Sequence, residues 1–109
     1  MEKFDWESLP FGYLKTDFNI RCLYKDGKWG KLEVSASEYI DIHIAATGLH
    51  YGQEAFEGLK AYMGKDGKIR LFRWRDNAKR LISSANGIKM AAFPVELFRE
   101  ALFKVIHLN

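Results

Sequence analysis

With 109 residues, 48% of them hydrophobic and 28% charged, the chain has the makeup of one globular domain at most. No apolar run approaches the ~20 residues that span a membrane, MEKFDWESLP is too polar and acidic for a secretory leader, and the single cysteine, Cys22, cannot close an internal disulfide. The expectation is a cytoplasmic protein with Cys22 as a small core residue. The net charge of +3 hides an asymmetry: residues 1–59 carry 6 basic and 10 acidic side chains, and residues 60–89 carry 9 basic and 2 acidic. A basic block of this kind suits nucleic acid, an anionic small ligand or a solvated face.

Residues 1–17 show no period, but Phe4, Trp6, Leu9, Phe11, Tyr13 and Leu14 are too apolar for a free tail. An extended arm lying on the domain body or on a partner is expected, with Pro10 and Gly12 opposing a long helix. From Asn19 the alternation reads as a hairpin, with Asp26-Gly27 as the tight turn, a return strand from Lys28 to Val34, and a bulge at Trp29-Gly30. Ile40, Ile42 and Ile44 share one side of a possible short strand. Leu59, Ala61 and Met63 alternate with Lys60 and Tyr62, and Lys65-Asp66-Gly67-Lys68 forms a second hairpin turn. The return strand Lys68–Arg73 places Ile69, Leu71 and Arg73 on one face. A helix follows with Asp76 as N-cap, Ala78, Leu81, Ile82 and Ala85 as its apolar face, and Asn86-Gly87 as its stop. A second helix starts at Pro94, with Glu96 and Glu100 near its positive end and an apolar stripe from Leu97 to Ile106. The fold class is α+β: an antiparallel sheet built from hairpins, with two C-terminal helices packed on it.

The chemistry concentrates in Leu49–Tyr62, LHYGQEAFEGLKAY. Glycine lets backbone bend sharply or approach another group closely. Gly52 and Gly58 lie six residues apart, each beside aromatics, which describes a chain folded around something flat and apolar. It equally describes a loop leading into a hairpin with Tyr51 and Phe56 as core. Arg73 is read either as a phosphate clamp, because a guanidinium offers a planar fork of donors, or as a strand-end arginine paired with a surface carboxylate. Arg70 and Arg75 are alternatives for the first task. Glu57 reads as structural, bonded to backbone amides of the loop. His43, His50, His107 and Cys22 have no metal-ligand spacing, so no metal site is expected.

Leu49–Tyr62, together with KIRLFR (68–73) and DNAKRLISSA (76–85), resembles the branched-chain amino-acid aminotransferases, enzymes of the fold type IV group that use pyridoxal 5'-phosphate. The resemblance covers the whole of 1–109 but only the family's N-terminal small domain. It implies that Arg73 contacts the cofactor phosphate, that Tyr51 and Phe56 surround the substrate side chain, and that Gly58 admits close backbone approach. It also implies a homodimer in which the tyrosine reaches the neighbouring subunit's site. In the family the lysine that carries the cofactor and the carboxylate beside the pyridine nitrogen lie in a larger C-terminal domain, and none of the 11 lysines here stands in a matching segment. The expectation is therefore a domain that contributes to transfer of the amino group of leucine, isoleucine or valine to 2-oxoglutarate. Alone, it would show no catalytic residue, no turnover and weak or no cofactor binding.

D-amino-acid aminotransferases and aminodeoxychorismate lyases share the fold and remain alternatives. Trp74 stands where many relatives have proline. From a different class, a basic nucleic-acid-binding module would show steep salt dependence, and an oligomerisation module would self-associate. The basic residues spread over both strand faces and a helix, which argues against nucleic acid.

Overall fold

The structure, a computed structural model, describes residues 7–9 and 11–109. In chain order it contains β1 (Asn19–Lys25), β2 (Lys28–Ser35), a single helical turn α1 (Thr47–His50), β3 (Ala61–Met63), β4 (Ile69–Leu71), α2 (Trp74–Gly87) and α3 (Val95–Leu108). The class is α+β, as the sequence indicates. The two hairpins do not merge into one sheet: β1–β2 and β3–β4 are separate antiparallel pairs. Part of the predicted arm, residues 1–6 and 10, lies outside the described residues. In the part that is described, Phe11 and Tyr13 are exposed, and Lys15 Nζ reaches Glu38 Oε1 at 3.5 Å.

The first hairpin follows from local sequence. Asp26 and Gly27 both have positive φ, 53° and 80°, the geometry of a two-residue turn that matches strand twist. The pairing changes register between Cys22↔Leu32 and Tyr24↔Trp29, so Gly30 and Lys31 stand opposite Leu23. The bulge thus falls beside the expected position. It brings Trp29 onto the α2–α3 linker. There the indole Nε1 donates to the Ala92 carbonyl at 2.9 Å, and the ring meets Phe93 edge-on at 4.8 Å. At the other end of the hairpin, Asn109 clamps the start of β1. Its Oδ1 accepts from the Phe18 amide at 2.9 Å, and its Nδ2 donates to the Phe18 and Val105 carbonyls at 3.0 and 2.8 Å.

The buried core is small and belongs to α2. Trp74, Ala78 and Ala85 are its buried residues. Trp74 stacks on Phe98 at 6.4 Å and 7°, and Phe103 meets it edge-on at 5.9 Å. The guanidinium of Arg75 lies 4.6 Å from the Trp74 ring centre. Helix α2 ends in a Schellman arrangement: the Met90 amide bonds the Ala85 carbonyl at 2.8 Å and the Lys89 amide bonds that of Asn86 at 3.2 Å. The left-handed residue is Lys89, with φ 59°, two positions beyond the expected glycine stop.

Three expectations are corrected. Residues 40–44 form no strand. The Ser37 and Tyr39 carbonyls are taken by the side chains of Arg21 and Asn19, and Ile40, Ile42 and Ile44 stand exposed and unpaired with either hairpin. β4 stops at Leu71, so Arg73 does not share a strand face with Ile69 and Leu71. Arg73, not Asp76, is the N-cap of α2. It adopts a left-handed backbone, φ 52° and ψ 40°, which reverses the chain from strand to helix within two residues. α3 starts at Val95 with Pro94 as N-cap, one residue from the predicted start.

The molecule exposes 9204 Å². A compact chain of 12.6 kDa exposes about 6200 Å². Much of the excess is apolar: Tyr39, Ile44, Tyr51, Phe56, Met63 and Phe72 are all more than half exposed.

Candidate functional site

The site grows from the way residues 53–58 lie along α2. Gln53 Nε2 donates to the Ile88 carbonyl just past the helix C-terminus at 2.9 Å. Four residues later Glu57 meets Arg80 and Asn77, and the Gly58 carbonyl accepts from Asn77 Nδ2 at 3.1 Å, close to the helix N-terminus. The segment therefore runs antiparallel to the helix. The lengths agree: five extended residues cover about 17 Å, and eleven helical residues rise by about the same distance.

Glu57 is the electrostatic centre of this contact. Arg80 Nε lies 2.9 Å from both carboxylate oxygens, Arg80 Nη2 also contacts Oε1, and Asn77 Nδ2 donates to Oε1 at 2.8 Å. The Glu57 side chain is only 7% exposed, whereas that of Arg80 is 69% exposed. The hydrogen-bonded Arg80 guanidinium holds the Glu57 carboxyl below its ordinary range. Asn77 pulls the same way, and burial opposes them. The same bond raises Arg80. Glu57 is thus structural, but its partners are side chains of α2 and not the loop amides expected. Positions 73, 76, 77 and 80 share one side of a helix by its 3–4 residue spacing. That spacing is the sign in the sequence that groups Asn77 and Arg80 with Arg73.

Two open clefts meet at Phe72 and Asn77. The first, about 300 Å³, is lined by Phe72, Arg73, Asp76, Asn77 and Arg80. The second, about 550 Å³, is lined by Gly58, Leu59, Lys60, Tyr62, Phe72 and Asn77. Arg73 donates from Nε to Asp76 Oδ2 at 2.6 Å, and its side chain is 70% exposed. The surface-carboxylate pairing considered for it is therefore present. Its left-handed backbone is uncommon for a non-glycine residue and is shared here with Asp26 and Lys89.

The four expected site residues are only partly brought together. Arg73 and Gly58 lie on adjoining clefts bridged by Asn77. Phe56 packs over Gly58: a Cβ built there would sit 3.7 Å from the Phe56 ring. Tyr51 follows α1, is 85% exposed and lines neither cleft. The alternatives to Arg73 have other work. Arg70 makes a two-point pair with Asp66, at 2.9 and 2.6 Å, which locks the β3–β4 turn, and Arg75 covers Trp74. Within the basic block Arg70, Arg73 and Arg80 each face a carboxylate. Among the described residues no cluster of His, Cys, Asp and Glu is placed to hold a metal, and no helix is long and apolar enough to cross a membrane.

No family model matches the chain. Curated proteins do. The chain is 44% identical over 109 residues to a branched-chain-amino-acid aminotransferase of Haemophilus influenzae, covering all of this chain and 32% of that protein. It is 42% identical over 109 residues to the enzyme of the same name from Helicobacter pylori, again covering all of this chain and 32% of the relative. It is 38% identical to the chloroplastic branched-chain-amino-acid aminotransferase 5 of Arabidopsis thaliana, over 100% of this chain and 26% of that protein. Along its whole length the chain is a homologue of the branched-chain-amino-acid aminotransferases, and it spans about a third of the length of the two bacterial relatives.

Proposed function

We propose that these residues form part of a pyridoxal-phosphate-dependent aminotransferase that moves the amino group of leucine, isoleucine or valine to 2-oxoglutarate. Pyridoxal phosphate, when bound, supplies the electron sink that makes the substrate α-proton removable. The residues present fit its phosphate. Two guanidinium groups, Arg73 and Arg80, line one cleft beside the N-terminal half of a 14-residue helix, and both are largely solvent-reachable. Arg73 is the residue the resemblance assigns to that phosphate. Arg80 is proposed beside it, because it lines the same cleft and its Nε bonds Glu57 of the glycine–aromatic segment. Phe56, Gly58 and Tyr51 wall the substrate side chain, Tyr51 acting across a homodimer. Aromatic walls suit such a side chain, whose burial is worth about 1.5–3 kcal/mol.

The observation that carries this reading is the bridge at Asn77, which joins the two-arginine cleft to the glycine–aromatic segment. By the same reading, which puts the cofactor-bearing lysine and its companion carboxylate in a C-terminal domain, the 109 residues alone are expected to show no turnover and to bind the cofactor weakly. Titration with pyridoxal phosphate and with inorganic phosphate, beside an assay with leucine and 2-oxoglutarate, tests the proposal. Dissociation constants of about millimolar are expected, weakened by Arg73→Met and by Arg80→Met. Turnover by the chain alone would overturn the claim of inactivity. Phosphate binding unchanged by both substitutions would overturn the assignment of the cleft.

A further inference from the structure

The cleft beside the N-terminal half of α2 is lined by two arginines, and each already faces a carboxylate of the chain. The two pairs are built differently. The Glu57 side chain is 7% exposed, and Arg80 holds it through Nε, 2.9 Å from each oxygen, and through Nη2, with Asn77 adding a further bond. The Asp76 side chain is 54% exposed and meets Arg73 by one bond, from Nε to Oδ2 at 2.6 Å. Both Nη groups of Arg73 are without a hydrogen-bond partner among the described residues. A solvent-reachable ion pair with a single bond is worth little, whereas a buried carboxylate stripped of its partners is costly. Of the two carboxylates in contact with these arginines, Asp76 is the one that can be exchanged at small cost.

Its place in the helix adds to this. Asp76 lies in the first turn of α2, where free backbone N–H groups and the helix dipole favour negative charge. The Arg73 guanidinium and the helix start would both draw a phosphate to this cleft, and both are engaged by the Asp76 carboxylate.

We propose that Asp76 is an internal competitor for phosphate: its carboxylate holds Arg73 until a phosphate group takes its place, and it thereby sets how tightly the cleft binds. This rests on the reading of the cleft as a phosphate site. The exchange replaces one anion by another on the same guanidinium. A phosphate dianion prevails because it brings more charge and more acceptor oxygens to the planar fork. Glu57 stays on Arg80 throughout, so the glycine–aromatic segment remains attached to α2 while Asp76 exchanges.

The test titrates the 109-residue chain with inorganic phosphate at constant pH and ionic strength, following the Arg73 Nε–H and Asp76 carboxyl signals by NMR. In the unaltered chain the two signals shift together as phosphate is added. Asp76→Asn keeps the size and an oxygen acceptor but removes the charge, and it should tighten phosphate binding about threefold or more, because like charges this close repel even in water. Glu100→Gln removes the same charge from exposed α3, outside the cleft, and screening should keep its effect below about twofold. Unchanged or weaker phosphate binding in Asp76→Asn overturns the proposal and leaves Asp76 a structural residue of the helix start. So does equal tightening in Glu100→Gln, or an Asp76 carboxyl signal that stays still at saturating phosphate. That last readout uses the unaltered chain and decides the matter even where a variant loses its helical circular dichroism. Failure of the cleft reading looks different: phosphate binding is absent, or indifferent to Arg73→Met and Arg80→Met, and the proposal falls with it. Binding that depends on Arg73 but not on the Asp76 charge sinks the competitor alone.

Discussion

Arg80 and Glu57, twenty-three residues apart in sequence, face each other with Nε 2.9 Å from each carboxylate oxygen, and this pair ties the glycine–aromatic segment to α2. Its consequence is a defined acid lability. The hydrogen-bonded Arg80 holds the Glu57 carboxyl below its ordinary value of 4.5, and Arg70 does the same for Asp66 below 3.8. A carboxylate whose folded pKa is depressed contributes stability above its unfolded pKa and loses it as pH falls through the folded value. Urea unfolding should therefore give a flat midpoint near neutrality and a falling one below about pH 4.5. Arg80→Leu should flatten the part due to Glu57. A midpoint that rises on acidification would contradict this.

Lys89 holds the left-handed position after α2, with φ 59°. A side chain there costs roughly 1 kcal/mol that glycine would not. Lys89→Gly should stabilise the chain by up to about 1 kcal/mol, less the added freedom of the unfolded state. Thermal unfolding measures it, and a lowered midpoint would count against the Schellman geometry.

Arg73 is also left-handed, but it lines the candidate phosphate cleft. Arg73→Gly should relieve about 1 kcal/mol of strain. It loses an exposed ion pair with Asp76 worth at most a few tenths. The same substitution should weaken phosphate binding. Stability and affinity moving in opposite directions is the expected result. A variant that is both less stable and equally phosphate-binding would show that the strain serves nothing.

Trp74 is the large side chain of the core, stacked on Phe98 and edge-on to Phe103. Trp74→Ala should cost about 3–5 kcal/mol. So small a core cannot absorb that loss, and circular dichroism should report lost helix at room temperature. Trp74→Phe should be milder. An alanine variant that melts like the parent would place the core elsewhere.

Much of this chain is decided locally. Asp26-Gly27 and Lys65–Lys68 turn where their φ preferences require, Ala78 and Ala85 lie on the side of α2 that their spacing marks, and the second long helix begins within one residue of the position Pro94 indicates. The order of residues in Leu49–Tyr62 carried the family resemblance, which rests on chemistry and not on shape. Tertiary structure decided the rest. A single left-handed residue took Arg73 off its strand, and steric preference offered no hint of that at an arginine. Residues 40–44 pair with neither hairpin, and pairing is decided by a partner that a strand's own sequence does not encode. The inward turn of Glu57 and outward turn of Phe56 run against hydrophobicity. Only the arrival of Arg80 and Asn77 from a distant helix makes burial of that carboxylate affordable.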